Sequence, residues 1–227
     1  MKRISIAIVM IAVILLSACA HPDSPVNAST PQIPDITASP QASPTEAAVI
    51  GYIESNPFFF ADTDSKLAYK GLFMFDDIIE KDVTLYISEL ADLTYGKLYE
   101  LNLEPVDGVP DDRLSLGYFY VQEDKIYKIK PTEANLNMIR RRGKLPDSSM
   151  IVCQDTEIKD VLGENEPGFH QYLDINGDRR EFHSYNNQVS TGYYESYTWE
   201  KTKGLIYYES GYGAGRDSIE FELYTTN

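Results

Sequence analysis

Cysteine is nearly missing from this chain of 227 residues: only Cys19 and Cys153 occur. A disulfide framework is therefore excluded, and so are zinc sites built from paired CxxC motifs. Histidine is almost as scarce. Of the three, His21 lies in a proline-rich stretch, leaving His170 and His183 for any imidazole chemistry. Positive charge is also in short supply, with 20 Lys and Arg against 35 Asp and Glu and a net charge of −15. A chain of this sign is repelled by nucleic acid and by anionic headgroups. No Ser-His-Asp signature, P-loop or dinucleotide fingerprint is present, and no cofactor is implied. No repeat of 20–50 residues occurs, which excludes a solenoid or propeller. The one long apolar run, Ile4 to Leu16, spans about 13 residues. A helix needs roughly 20 to cross a bilayer.

That run is informative in its setting. Lys2 and Arg3 precede it, and Leu16-Ser17-Ala18-Cys19 closes it. A charged start, a short apolar region and small residues at a cut site form an export signal. The arrangement resembles the lipobox signal peptide of bacterial lipoproteins, in its tether most like those of Gram-positive bacteria. The resemblance implies cleavage before Cys19, a diacylglyceryl group on its sulfur, and residence on the extracytoplasmic face of the cell membrane. Two acyl chains on one residue meet the requirement for stable anchoring. Ala18-Cys19-Ala20 also fits ordinary secretion with release after Ala20, so that alternative stays open. Loss of the signal, 1–18, removes two cations and takes the charge to −17.

Residues 19–48 carry the acylated cysteine and a stretch rich in Pro, Ser, Thr and Ala, with prolines at Pro22, Pro25, Pro31, Pro34, Pro40 and Pro44. Such a composition cannot bury enough apolar surface to fold. It reads as a semi-extended tether, able to hold a domain up to about 90 Å from its anchor at roughly 3.1 Å per residue.

Residues 49–227 are rich in aromatic and β-branched side chains and suffice for one globular domain. Phe169 to Ile175 and Asp178 to Tyr185 flank Asn176-Gly177, which predicts a hairpin with a type I′ turn. Tyr193–Trp199, Leu205–Tyr208 and Asp217–Tyr224 predict further strands. Ile219, Phe221 and Leu223 alternate with Glu220, Glu222 and Tyr224 in the period of a half-buried strand. Gly211 to Gly215 reads as a turn. Upstream, Tyr99–Leu103 alternates, Leu114–Gln122 and Lys125–Lys130 flank a second turn, and Ser149–Cys153 reads as a buried strand with Cys153 a structural thiol. A helix is expected between Pro131 and Gly143, with Arg140, Arg141 and Arg142 at its negative dipole end. Leu67–Phe75 suggests a strand, and Asp76–Glu80 a helical turn. The expected fold is α+β, mostly antiparallel sheet in a meander of hairpins, with one or two short helices.

Two candidate sites follow. The Asn-Gly turn would set His170 opposite His183, Tyr172 opposite Glu181 and Asp174 opposite Arg179. Two imidazoles on opposed positions, with Glu181 near, could hold a zinc-like ion. A solvated polar face with an Asp174–Arg179 ion pair explains the same residues. Asp174-Ile175-Asn176-Gly177-Asp178 fails as a calcium loop, because Arg179 and Tyr185 stand where glycine and glutamate belong. The second site is the aromatic series Tyr193, Tyr197, Trp199, Tyr207, Tyr208 and Tyr212. Amphipathic rings on a rigid sheet make a binding platform. The expected function is a surface-displayed, non-catalytic binding module for an envelope glycan, peptide or protein. A metal-dependent or other hydrolase acting on an envelope substrate is the alternative.

Overall fold

The computed structural model describes residues 56–59, 65–163, 165–213 and 216–223. The signal, Cys19 and the tether lie outside them. Eleven strands form one antiparallel sheet: β1 (Ser65–Met74), β2 (Ile78–Leu93), β3 (Gly96–Leu103), β4 (Ser115–Val121), β5 (Lys125–Ile129), β6 (Met150–Gln154), β7 (Phe169–Asn176), β8 (Arg179–Asn186), β9 (Tyr193–Glu200), β10 (Gly204–Tyr212) and β11 (Arg216–Leu223). Their order is β6-β5-β4-β3-β2-β1-β11-β10-β9-β8-β7. Each strand pairs with its sequence neighbour except at the centre, where β1 meets β11, and at the two edges, β6 and β7. A meander of hairpins is thus present. The domain is mostly antiparallel sheet, as expected, with a single α-helix among the described residues, so that sheet outweighs helix within the α+β description.

The sheet curls into a nearly closed barrel. Phe119 of β4 and Tyr197 of β9 meet edge to face with ring centroids 5.7 Å apart, although five strands lie between theirs in the sheet order. β6 packs near β8. The free edge of β7 is bridged by Ile158, which exchanges backbone hydrogen bonds of 3.0 and 2.9 Å with Leu173. An exposed edge would be a template for further pairing, and this bridge covers it. Alternate side chains point inward. Tyr69, Phe73, Leu85, Leu101, Phe119, Phe182, Tyr197, Trp199 and Phe221 are among those that fill the interior.

One end of the barrel is plugged. The turns 94–95, 122–124, 177–178 and 201–203 lie there, and residues 56–59 cross it. The Asn56 side chain donates to the Gln122 carbonyl (2.7 Å) and accepts from the Phe58 amide (3.0 Å). The Thr202 amide donates to the Pro57 carbonyl at 2.8 Å. Phe59 enters the core against Tyr99 (4.7 Å) and Trp199 (5.9 Å). The Arg180 guanidinium lies 4.6 Å from the centre of the Phe58 ring and reaches Asp155 at 2.6 Å.

The helix, α1 (Glu133–Arg142), packs outside. Thr132 caps its start by accepting from the Asn135 amide, and Gly143 ends it with a left-handed φ of 59°. Leu136 and Ile139 cover Leu98, Tyr120 and Ile129 in a second, smaller core. Arg140, Arg141 and Arg142 occupy the last turn as expected.

Two local expectations are overturned. Asp76–Glu80 is no helical turn: the Phe75 amide donates to the Asp77 carbonyl (3.1 Å), and β2 starts at Ile78. The period of this long strand was obscured by a bulge between Glu89 and Ala91. Before it, Val83, Leu85 and Ile87 face the interior; beyond it, Leu90, Ala91 and Leu93 pack with the outer helix. A bulge that switches the buried face erases simple alternation.

The β7–β8 turn consists of Gly177 and Asp178, not Asn176 and Gly177. Gly177 takes the positive φ of 59° in the first central position, where a type II′ turn wants glycine. His170 therefore opposes Tyr185, Tyr172 opposes His183, Asp174 opposes Glu181, and Asn176 opposes Arg179. The expected His170–His183 and Asp174–Arg179 pairings do not form. Leu173 and Phe182 face the core, and Phe169, which begins the strand on that same side, is half exposed.

Candidate functional site at the barrel mouth

Opposite the plug, the interior turns polar. On β9 the inward series is Tyr193, Glu195, Tyr197 and Trp199, so the strand's alternation places a carboxylate on the core side. Glu195 is 3% exposed. Lys128, which reaches it from β5, is itself mostly buried, and the two form an ion pair. Three phenols join them. Tyr197 donates to Glu195 Oε1 at 2.8 Å, Tyr208 at 3.2 Å and Tyr193 at 3.3 Å. Lys128 Nζ also donates to Tyr197 Oη at 2.7 Å. A buried carboxylate is costly unless paired and hydrogen-bonded, and here four donors converge on a single oxygen. Burial, and then the Glu195 charge, push the pKa values of Tyr193, Tyr197 and Tyr208 well above the usual phenol value. All three remain protonated donors at neutral pH.

Above this cluster lies a cavity of about 200 Å³. Tyr193 and Tyr212 stand at its rim, 40% and 43% exposed, with their rings edge to face at 5.5 Å. Arg113 closes one side. Its guanidinium lies 5.3 Å from the Tyr212 ring centre and donates to the Asp217 carbonyl at 3.0 Å. Asp112, Ser115 and Ser210 complete the lining.

Five of the six aromatics singled out from sequence thus face the interior. Tyr193 and Tyr212 are at the mouth, Tyr197 and Tyr208 are in the polar cluster, and Trp199 lies deeper, packed on Phe59 and Phe119. Tyr207 is on the outer face, where its hydroxyl donates to Glu209 (3.2 Å). Sequence reading missed Lys128, Glu195, Arg113, Asp112, Ser115 and Ser210. Only Glu195 and Ser210 left a signal: each sits at even spacing between inward aromatics, Tyr193 and Tyr197 on β9 and Tyr208 and Tyr212 on β10. The other four come from other strands or loops, and local pattern does not join them to this site.

The metal candidates fall elsewhere. His170, His183 and Glu181 share the outer face, but the structure does not gather them. His170 is fully buried, stacked on Tyr185 at 4.6 Å, with Nδ1 2.5 Å from Asp160 Oδ2 and Nε2 2.9 Å from the Glu166 carbonyl. Both nitrogens meet acceptors, an arrangement only the doubly protonated ring satisfies. His183 packs on Tyr172 (4.9 Å) and meets Ser196 Oγ at 3.1 Å. Among the described residues, no group of three or more His, Cys, Asp or Glu is placed to hold a metal ion. Cys153 is buried, and burial pushes its thiol far above the ordinary range. No helix among the described residues is long and apolar enough to cross a membrane.

Comparison with protein-family models, with curated proteins and with solved structures found no match to this chain.

Proposed function

We propose that this protein is a lipoprotein, anchored through Cys19 to the extracytoplasmic face of the cell membrane, whose barrel domain is a non-catalytic binding module for an envelope ligand. The observation that carries the binding reading is the mouth: a polar, aromatic-rimmed cavity over a buried ion pair, at the end of the barrel away from the plug. Ligand sites combine rings that supply contact area with a few placed polar groups, and this mouth has both. Asn56–Phe59 fill the far end, which leaves the mouth as the open end of the barrel. The alternative of a hydrolase centred on His170, His183 and Glu181 has no observation in its favour, since these side chains do not converge.

Two measurements test the proposal. Wild type is expected to fractionate with membranes and Cys19→Ser to be released; equal membrane association of both overturns the anchor. The released Cys19→Ser protein is expected to sediment with isolated envelope material, and adding the double substitution Tyr193→Ala, Tyr212→Ala to abolish most of that binding. Undiminished binding by the double variant overturns the assignment of the mouth.

A further inference from the structure

The charges around the mouth balance, and this limits what the cavity can accept. Lys128 and Glu195 are each other's partners. Arg113 makes no ion pair among the described residues; it is held by the Asp217 carbonyl and by the Tyr212 and Phe75 rings, with Asp112 also on the rim. The lining carries two cations and two anions, so its formal charges sum to zero and favour no net charge on the ligand. The deep pair is closed on itself, which leaves Arg113 and Asp112 at the rim as the charged groups that a zwitterion such as a peptide end could meet, and a dipeptide is therefore the competing probe in the test below.

What the lining offers in quantity is hydroxyl groups. Ser115, Ser210 and Tyr212 can each donate or accept, while Tyr193 and Tyr208, whose protons go to Glu195, can accept. The edge-to-face rings of Tyr193 and Tyr212 add two apolar walls at the entrance. A ligand that complements this has an apolar face and a periphery of hydroxyls. Size narrows it further. About 200 Å³ matches the liquid volume of about seven waters and falls below the roughly 300 Å³ at which drug-sized pockets begin. There is room inside for about one saturated ring, and the open mouth lets the rest of a longer ligand extend into solvent.

We infer that the mouth takes a single neutral pyranose unit, presented end-on from an envelope glycan. This rests on the binding reading above and names its ligand class. The Tyr212 ring supplies the wall on which the sugar's apolar face lies. The serine and tyrosine hydroxyls, with Arg113 and Asp112, meet its hydroxyl groups.

The test is saturation-transfer NMR on the mature protein in a detergent lacking a sugar headgroup, with glucose, galactose and N-acetylglucosamine as probes and alanyl-alanine as the zwitterionic comparison. At least one sugar is expected to bind saturably, with little dependence on salt. Tyr212→Ala should weaken that binding about tenfold. Tyr86→Ala, on the outer face, should leave it unchanged, and both variants should keep the wild-type unfolding midpoint within a few degrees. Tyr212-dependent binding of the dipeptide but of no sugar overturns the glycan inference and leaves the mouth a binding site. Sugar binding that Tyr212→Ala leaves intact overturns the assignment of the sugar to the mouth. Absence of binding by every probe overturns the inference, while the envelope sedimentation experiment still decides the broader reading.

Discussion

Lys128 and Glu195 form an ion pair inside the barrel although six strands separate theirs in the order of the sheet. The contact exists because the sheet curls until β5 faces β9. It also places a fixed pair of charges beneath the cavity, where three phenols hold the carboxylate in place.

Breaking this pair on one side should cost more than removing both charges. Lys128→Met leaves Glu195 as a buried, uncompensated carboxylate, for which a loss of about 3 kcal/mol is expected. Adding Glu195→Gln removes the orphaned charge, so the double variant should be more stable than Lys128→Met alone. Urea unfolding of the four proteins of this cycle measures it. An unchanged midpoint for Lys128→Met would show that the pair contributes nothing.

The plug should be worth as much as a core aromatic. Phe59 is 1% exposed and packs on Tyr99 and Trp199. Phe59→Ala is expected to cost about 3–5 kcal/mol. Trp199 is the only tryptophan in the chain, so its fluorescence reports directly on the plug. Its emission should move to longer wavelength in Phe59→Ala as water gains access. Emission identical to wild type would mean that the ring does not seal this end.

The two histidines of the domain should titrate in opposite directions from the ordinary value of about 6.5. Burial pulls the His170 pKa down, but the Asp160 carboxylate and the Glu166 carbonyl outweigh it, and the net shift is upward. Its contribution to stability is therefore full below about pH 6.5 and is lost as pH rises through the folded value. For His183, burial dominates over Glu181, Asp174 and Glu209, and the shift is downward. Its contribution is present above about pH 6.5 and is lost as pH falls through the folded value. Proton NMR titration of the ring resonances, assigned with His170→Gln and His183→Gln, checks both signs. A His170 midpoint below that of His183 would contradict the arrangement around Asp160.

Cys153 should resist thiol reagents in the native protein. It is 1% exposed on β6, and burial disfavours its thiolate. Labelling is expected only in denaturant, with one equivalent per chain when Cys19 is acylated. Prompt labelling under native conditions would place the thiol at an accessible surface instead.

Much of the sheet was legible in the sequence because its signals are local. Tyr193–Trp199 and Ile219–Leu223 announce themselves by period-2 alternation, and Gly143 marks the helix end by its freedom to adopt a left-handed φ. The hairpin after Leu173 was found, yet its turn was misplaced by one residue. Asn176-Gly177 and Gly177-Asp178 are both good turn pairs, and the choice between them sets the register of the whole hairpin. The first half of the barrel was less legible, because the bulge in β2 moves its apolar residues from one face to the other.

The sequence alone determined the expectation of an export signal resembling a lipobox followed by a proline-rich tether, and it determined a domain of antiparallel strands whose tyrosines crowd the last third. These follow from composition, short spacings and backbone preferences that act within a few residues. Only the tertiary structure decided which tyrosines line a cavity, that Lys128 and Arg113 join them, that Phe59 plugs the far end, and that His170 binds Asp160 instead of His183. The reason is physical: strand twist and bulges accumulate across eleven strands before the sheet meets itself, and no local stretch of residues specifies where that meeting falls.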